Sequence, residues 1–300
     1  MKSNFLILKG SKRTIFLIDK IRKYYPEAKI ILIDKNKSCY ARQYSDFFLN
    51  CDAEDFKLIK EKISKRDIFI CLTRSSGQTG LIASKINKYL GFNNPNIKII
   101  SNFFSCYKLA SLCKKNNLEY IKTSYVKKKF NLCSPVVIKS DIEKIGKKNV
   151  FYVNNTEKFI KFYDYVKDLS YNKKVIVQDY IAGSDITLLG YANNNGRFLI
   201  KRAYKEINSF KKNGGIEHKG FVPFNFLKSN NNYNAIRKVL NKIVSKSNLR
   251  LVPINFNFRI SKNKKSYLNE INLYFGGENL IEKDFDFISD FLRFLKLTKN

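Results

Sequence analysis

The stretch best suited to chemistry is YLNEINLYFGG, residues 267–277, in which a Glu and an Asn stand two positions apart. Because side chains alternate faces along a β-strand, Glu270 and Asn272 point to one side and Ile271 to the other. A carboxylate and an amide oxygen side by side are hard ligands of the kind that Mg²⁺ prefers. Burying them among apolar neighbours is costly unless a ligand satisfies them. The spacing therefore indicates a metal pair, with a solvated edge strand as the alternative explanation.

The charge of the chain is its most unusual bulk property. Its 300 residues are enough for two or three packed lobes, and the formal net charge is +32. Such a charge would favour anionic partners. The excess is mostly Lys and is spread along the chain, beside abundant Asn, Ile and Phe. Genome composition rich in A/T codons explains this pattern as well as anion binding does, and we expect no dedicated nucleic-acid partner.

Cysteine and histidine chemistry is largely excluded. The Cys residues form no C-x-x-C pair, and the single His argues against a zinc site and against a Ser-His-Asp or Cys-His centre. We interpret His218 as a surface residue rather than an acid or base. The apolar runs fall short of the ~20 residues that cross a bilayer. We therefore expect a cytoplasmic protein with no membrane partner and with reduced thiols at Cys39, Cys51, Cys71, Cys106, Cys113 and Cys133.

The first hundred residues alternate apolar strands with helical stretches. The strands are predicted at 5–8, 30–33, 68–72 and 97–100. Continuous apolar strands separated by helices are typical of a parallel sheet covered on both faces. The link 73–80, TRSSGQTG, joins a strand to a helix, where small residues let backbone amides approach an anion. An ordinary turn explains this link equally well.

The rest of the chain mixes strands and helices in a definite order. A strand ending in Lys139 leads into a polar loop with Gly146, and Asn155 or Thr156 can cap the helix that follows. We expect residues 125–131 to be a basic connector and the Lys- and Gly-rich segment 209–220 to be a mobile loop. Further predicted strands are 150–153, 175–181, 185–191 and 198–200, further helices are 231–246 and 284–297, and a hairpin joins 251–260 to 266–272.

This order of elements, with its strand-end Lys, its Gln-Asp strand and its Glu-x-Asn hairpin, resembles the ATP-grasp superfamily from about residue 2 to residue 280. The resemblance is to carboxylate-amine ligases and to the ATP-binding region of carbamoyl-phosphate synthase. It implies a mixed α/β and α+β fold, with a parallel, Rossmann-like pre-ATP-grasp domain before a two-lobed ATP-grasp fold. The implied domains are 1–104, 105–200 as the small lobe with its linker helix, and 201–300 as the lobe with the metal hairpin.

The resemblance assigns residues to ATP. Lys139 is similar to the family Lys that contacts the nucleotide phosphates, and Lys108 to an earlier Lys at a helix start. The segment 177–185, VQDYIAGSD, resembles the strand and hinge that bind adenine and ribose. The implied positions in that segment are Gln178, Asp179 and Ile181 at the base and Asp185 at the ribose.

The resemblance also assigns the metal and the phosphate end. Asn257, Glu270 and Asn272 match the family's Mg²⁺ ligands, with Mn²⁺ as an alternative ion and Asn255 as the neighbouring alternative to Asn257. Arg259 is then placed to hold a phosphate or a substrate carboxylate. Lys201 and Arg202 are further candidates for the γ-phosphate, and the segment 211–220 falls where the family has a substrate cover.

The implied activity is that of an ATP-dependent ligase, which activates a carboxylate as an acyl phosphate and joins it to an amine. Its partners would be small-molecule substrates, and a homodimer is compatible with the family. Where the family continues Glu-x-Asn with Pro and Arg, this chain has Leu273 and Tyr274. Asn257 also leaves Glu270 as the one carboxylate of the implied metal site. The alternatives are a nucleotide-binding protein with weak or no turnover, and a basic nucleic-acid binder.

Overall fold

The computed structural model describes residues 4–64, 66–143, 150–211, 215–225, 233–276 and 286–298. The predicted loop glycine Gly146, the segment 212–214 of the predicted mobile loop and Gly277 lie outside these residues. So do the predicted starts of the last two helices, at 231 and 284.

The N-terminal part is a parallel sheet with helices on both faces, as predicted. Its strand order is β3-β2-β1-β4, and each neighbouring pair is parallel. Leu17, Ile18 and Ile21 of α1 pack on one face of the sheet, while α2 and α3 cover the other. The elements are β1 (Asn4–Leu8), α1 (Lys12–Tyr24), β2 (Ile30–Asp34), β3 (Phe47–Asn50), α2 (Phe56–Ile63), β4 (Ile68–Thr73) and α3 (Thr79–Tyr89).

One predicted strand of this part is wrong. Ile97–Ile100 forms a short helix, α4, and the fourth strand of the sheet is instead β3. The Asn96 side chain accepts from the Ile99 N–H and so caps the turn, and Ile100 is buried in a core away from the parallel sheet. An apolar run of four residues does not distinguish a buried strand from a buried helical turn.

The small lobe is an antiparallel sheet of order β5-β8-β6-β7 with one helix on it. Asn155 caps that helix, as predicted, by accepting from the Lys158 N–H. The predicted basic connector is wrong at its start, because residues 123–126 pair with β8 as a strand. The elements are α5 (Cys106–Lys115), β5 (Thr123–Val126), β6 (Val136–Ser140), β7 (Phe151–Val153), α6 (Thr156–Asp168) and β8 (Val175–Asp179).

The last part is a five-stranded antiparallel sheet of order β11-β10-β9-β12-β13. Its predicted hairpin, β12 with β13, is confirmed. The predicted domain boundary at residue 200 falls inside β10, which pairs with β9 on both sides of that residue; the domain limits stay a prediction. The elements are β9 (Gly183–Ala192), β10 (Phe198–Phe210), β11 (Ile216–Pro223), α7 (Tyr233–Lys246), β12 (Val252–Ser261), β13 (Ser266–Asn272) and α8 (Phe287–Leu297).

The prediction of a mobile loop at 209–220 is wrong for its described residues. Strand β10 runs to Phe210, and Ile216 begins β11, which pairs back onto β10 with Asn208 opposite His218. Lys and Gly are poor strand formers by composition, but pairing to the edge of an existing sheet satisfies their backbone groups.

The two faces of this sheet bury different cores. Leu188 and Phe256 face a core that includes α7, whereas Leu189 and Tyr191 face a core with α8 and the N-terminal sheet. Alternation along β9 therefore places Asp185 and Thr187 on the second face, beyond its apolar part. In the described ranges, no helix combines the length and apolarity that a bilayer crossing requires.

Candidate functional site

Polar side chains form a row across four strands on that second face. Asn257 of β12 lies opposite Glu270 of β13 on one side and opposite Thr187 of β9 on the other. Asn257 Nδ2 donates to Glu270 Oε2 at 2.8 Å, and Thr187 Oγ1 lies 3.0 Å from Asn257 Oδ1. Thr187 Oγ1 is also 3.0 Å from Oε1 of Glu206, on β10. We call Glu206, Thr187, Asn257 and Glu270 the polar row.

The structure separates the two asparagines that the sequence offered as first-strand ligand. Asn255 lies opposite Asn272, and both are buried. With its amide oriented to satisfy both ends, Asn255 donates to the Ile254 carbonyl and accepts from the Gly276 N–H, each at 3.3 Å. Asn255 is thus engaged with backbone, whereas Asn257 contacts the Glu270 carboxylate. This geometry favours Asn257 as the residue beside Glu270.

The oxygen atoms of this region fit a hard divalent cation in donor type. Carboxylate and amide oxygens from Glu270, Asn257 and Asn272 are ligands that Mg²⁺ accepts. Within the described residues, no group of three or more His, Cys, Asp and Glu side chains could hold a metal, so amide oxygens would have to complete the set. Each of the three predicted ligands lies on the paired strands β12 and β13.

Lys139 reaches from the small lobe to the β12–β13 hairpin, which carries the predicted metal ligands. It lies near the end of β6, is only 6% exposed, and places Nζ 3.5 Å from Oδ1 of Asn269. Asn269 precedes Glu270 at an irregularity in the β12–β13 pairing. Burial lowers the pKa of Lys139, but the neighbouring Cys106, Glu143 and Glu270 outweigh burial and raise it above its ordinary value. Lys139 therefore carries a fixed positive charge beside Glu270.

The start of α5 is anchored firmly, but its predicted ATP ligand is exposed. Ser105 caps the helix by accepting from the Lys108 N–H, and the Asp141 carboxylate accepts from both the Ser105 hydroxyl and the Tyr107 N–H. The Lys108 side chain itself lies on the surface. Cys106 is the residue of this helix that lies beside Lys139, and burial raises the pKa of its thiol to about 11.

The predicted hinge follows β8 and meets the sheet through Arg259. Gln178 is buried and donates through Nε2 to the Thr123 hydroxyl at 2.9 Å, while the Asp179 side chain is exposed. Arg259 Nε donates to the Ile181 carbonyl at 2.8 Å. Gln178 is thus held within the small-lobe sheet, and the hinge backbone is fixed to β12.

Asp185, predicted at the ribose, belongs to a second polar group beside the row. Its Oδ2 lies 2.9 Å from Arg259 Nη1 and accepts from Asn208 Nδ2 at 2.8 Å. The exposed ring of His218 continues the group, with Nδ1 3.3 Å from Asn208 Oδ1. Asn208 Nδ2 is also 3.3 Å from Glu206 Oε2, so this group and the polar row are in contact.

Lys201 and Arg202 lie at the beginning of β10, where the pairing with β9 is irregular. Lys201 Nζ is 3.1 Å from Asp290 of α8 and 5.0 Å from the centre of the Tyr191 ring. The exposed Arg202 directs Nη1 to the Lys201 carbonyl at 3.0 Å. Lys201 is therefore engaged with α8 rather than with the polar row, and its assignment to the γ-phosphate stays a prediction.

The link after β4 packs against the segment that follows Glu-x-Asn. Arg74 is buried, and its Nη2 donates to the Gly276 carbonyl at 2.7 Å. The Phe275 N–H donates to the Thr73 carbonyl at 3.3 Å. A Cβ on Gly80 would lie 2.9 Å from the Leu273 carbonyl oxygen, so the close approach requires glycine here. The structure thus joins the link 73–80, left open between an ordinary turn and an anion site, to the segment that follows β13.

Sequence analysis missed Glu206 and Thr187. The signal was present in the alternation of Tyr204, Glu206 and Asn208, which share one face of a strand. The predicted strand ended at residue 200, so this alternation fell outside it and was not recognised as part of a strand. Thr187 carries no charge and sits within an apolar strand, where a Thr is an ordinary β-former.

No family model and no curated protein sequence matches this chain. Solved structures match it along nearly its whole length. An L-amino acid ligase from Bacillus licheniformis is 15% identical, with a TM-score of 0.76 over 96% of this chain and 72% of that chain. An N5-carboxyaminoimidazole synthetase from Staphylococcus aureus, complexed with ADP, is 14% identical, with a TM-score of 0.71 over 96% of this chain and 75% of that chain.

A further match is the biotin carboxylase domain dimer of the Hydrogenobacter thermophilus 2-oxoglutarate carboxylase, in complex with MgADP, ADP and bicarbonate. It is 10% identical, with a TM-score of 0.74 over 98% of this chain and 69% of that chain. Likeness at such low identity establishes the fold. The chain has the ATP-grasp fold, with a parallel α/β part before two antiparallel sheets, which confirms the fold class expected from its sequence.

Proposed function

We propose that this protein is an ATP-dependent ligase that activates a carboxylate as an acyl phosphate and joins it to an amine. The observation that carries the proposal is the convergence of Lys139 with the polar row. A buried cation from one sheet and the Glu270 carboxylate from another meet through Asn269, on a fold shared with a ligase and with ADP-bound synthetases. A triphosphate bound between the sheets would need both kinds of charge.

Each part of the site has a role in this proposal. Glu270, Asn257 and Asn272 would hold a divalent cation, which neutralises charge on the phosphates when it is bound. Lys139 would offset part of the remaining phosphate charge. The hinge at Asp179 and Ile181 would bind adenine, and Asp185 the ribose hydroxyls, with Gln178 supporting the strand. Lys108 and Arg202 are further candidates for the phosphate end, whereas Lys201 is held by Asp290 and its place there rests on the resemblance alone.

We propose a further role for Arg259. Its guanidinium is shared between Asp185 and the Ile181 carbonyl, so it would orient the hinge and the acid proposed for the ribose. Its assignment to a phosphate or a substrate carboxylate stays a prediction. The first step needs no base, since a carboxylate substrate is already ionised and positioning can supply much of the rate. In the second step the neutral amine attacks the acyl carbon, the C–O bond to phosphate breaks, and the leaving phosphate can take the proton that the amine nitrogen loses.

A second candidate is nucleotide binding with little turnover. It is favoured by Tyr274, which stands where the family has an Arg, and by the uncharged Asn257 in the metal hairpin. The cytoplasmic location, the homodimer and Mn²⁺ as an alternative ion stay predictions.

The experiment that tests the proposal is a screen for phosphate release from Mg·ATP with pairs of carboxylates, such as amino acids and sugar acids, and amines. We expect release that requires both members of one pair. Binding of ATP without release for any pair would support the second candidate. Absence of ATP binding would contradict both.

A further inference from the structure

Glu206 is a buried carboxylate that joins the polar row from the side opposite Glu270. Only 6% of it is exposed, and β10 places it two residues from Tyr204, the pairing partner of Thr187. Its Oε1 is 3.0 Å from the Thr187 hydroxyl and its Oε2 is 3.3 Å from Asn208 Nδ2. A buried carboxylate is costly unless nearby groups offset its charge.

The hydrogen-bond contacts of the polar row cannot all be satisfied by the donor protons that its side chains carry. Thr187 has one hydroxyl proton but two acceptors at 3.0 Å, Glu206 Oε1 and Asn257 Oδ1. Both amide protons of Asn257 are on the nitrogen that faces Glu270 at 2.8 Å. Turning the amide over would supply Thr187 but place Oδ1 against the Glu270 carboxylate. With both carboxylates ionised, one contact of the row lacks a proton in either orientation.

The relative strength of the two possible hydrogen bonds of Thr187 decides which contact lacks a donor. A hydroxyl donates more strongly to a carboxylate than to a neutral amide oxygen, so the Thr187 proton goes to Glu206. Asn257 Oδ1 then faces a lone pair of Thr187 at 3.0 Å. Asn257 Oδ1 belongs to a half-buried side chain and is then open to water or to a cation, and an amide oxygen is a ligand that such a cation accepts. The row is therefore arranged for a positive charge.

We propose that Glu206 supplies the second acidic charge of the cation site, in place of the charge that Asn257 does not bring. In this arrangement Glu206 accepts the hydrogen bond from the Thr187 hydroxyl, so the Asn257 oxygen stays available. Asn257 meanwhile donates its N–H to Glu270. Glu206 and Glu270 together supply two negative charges, from β10 and β13, for the divalent cation of the nucleotide complex. The inference rests on the proposed nucleotide function, and it adds a residue of β10 to a metal site otherwise formed by β12 and β13.

The test is Mn²⁺ binding to the protein in the presence of ADP, followed by electron paramagnetic resonance. Glu206→Gln keeps the side-chain volume and removes the charge. We expect it to weaken Mn²⁺ binding roughly 10- to 100-fold, the usual effect of changing a residue that supports a metal ligand. ADP binding measured in EDTA should stay unchanged, because the charge acts on the cation.

A charge swap distinguishes this role from packing. Asn257→Asp returns a carboxylate to the row, so we expect it to restore most of the Mn²⁺ affinity in the Glu206→Gln background. In the unaltered chain, Asn257→Asp should tighten Mn²⁺ binding. The matched control is Glu119→Gln, which removes a surface carboxylate paired with Lys265 and should leave Mn²⁺ affinity as it was.

The outcomes distinguish a failure of the proposed role of Glu206 from a failure of the proposed nucleotide function. If the unaltered protein binds neither Mn²⁺·ADP nor ADP, the proposed function fails and this inference fails with it. If it binds Mn²⁺·ADP and Glu206→Gln binds as tightly, only the role of Glu206 is overturned. Weakened binding that Asn257→Asp does not restore would make Glu206 a packing residue and would likewise overturn it.

Discussion

Arg259 and Asp185 form an ion pair between neighbouring strands, with Nη1 2.9 Å from Oδ2. Their side chains are 19% and 24% exposed, so solvent screens the pair only in part. Arg259 Nε is used at the same time by the Ile181 carbonyl at 2.8 Å. One guanidinium thus fixes both the hinge backbone and the carboxylate that we propose for the ribose.

Removing this guanidinium should destabilise the protein and loosen the hinge. We expect Arg259→Ala to lower the free energy of unfolding by about 1–3 kcal/mol, because it leaves Asp185 and a carbonyl without a charged donor. Urea unfolding measures the change. Arg250→Ala, an exposed Arg on the segment before β12, is the matched control and should change little. Equal losses in the two variants would contradict the role of Arg259.

Lys139 should matter for nucleotide affinity more than for folding. Lys139→Met keeps the length of the side chain and removes the ammonium beside Asn269 and Glu270. A hydrogen bond to a charged group is worth about 1.5–3 kcal/mol, so ADP affinity should fall roughly 10- to 100-fold. Isothermal titration calorimetry measures this. Lys167→Met, on the exposed side of α6, should bind ADP as the unaltered chain does.

Lys201 should act in stability rather than at the phosphates. Its ammonium lies 3.1 Å from Asp290 and over the Tyr191 ring, which ties β10 to α8. We expect Lys201→Met to lower the melting temperature and to leave the affinity for ATP, which carries the γ-phosphate, unchanged. In a double-mutant cycle with Asp290→Asn, the losses should be non-additive because each removes the same pair. A large fall in ATP affinity would instead support Lys201 as a ligand of the γ-phosphate.

Asp286 should make α8 sensitive to acid. Burial raises its pKa, but hydrogen bonds from Lys20 and Ser289 outweigh burial and hold the pKa below its ordinary value. Its Oδ1 also accepts from the N–H groups of Ile288 and Ser289 at the start of the helix. The carboxylate therefore contributes stability above the unfolded pKa of about 3.9, and this is lost as the pH falls through the folded pKa.

Two variants separate the charge of Asp286 from its cap. Asp286→Asn keeps an acceptor for the backbone and should reduce the loss of stability below about pH 4. Asp286→Ala should in addition cost about 1 kcal/mol at pH 7, the usual value of a helix cap. Thermal unfolding across pH measures both. An acid response of Asp286→Asn identical to that of the unaltered chain would contradict this account.

The sequence was sufficient for the parallel sheet and for the β12–β13 hairpin because each has a strong local pattern. The strands of the parallel sheet are apolar runs bounded by helical patterns. In the hairpin, the polar Glu270 alternates with the apolar Ile271. Both patterns show directly in residue type which side chains are buried. Ile97–Ile100 was misassigned because four apolar residues fit either a strand or a turn of helix. Its packing depends on contacts with distant segments, such as the bond from the Asn96 N–H to the Ser247 carbonyl.

Only two of the four residues of the polar row could be predicted from the sequence. Asn257 and Glu270 follow from the hairpin, since their strands are adjacent in sequence. Glu206 and Thr187 join through the strand order, in which β9 lies between β10 and β12. Pairing between strands that are far apart in sequence leaves no spacing signal, and the Lys-rich composition after residue 200 masked the strand that carries Glu206.

The most direct test of the account is the melting temperature with and without Mg·ATP, for the unaltered chain and for Glu270→Gln. If the polar row and Lys139 form a nucleotide site, Mg·ATP at 100 times its dissociation constant should stabilise the unaltered chain by about 2.7 kcal/mol. Glu270→Gln should lose the part of this stabilisation that depends on Mg²⁺ and keep the part seen with ATP in EDTA. An unchanged melting temperature of the unaltered chain at millimolar Mg·ATP would contradict the account.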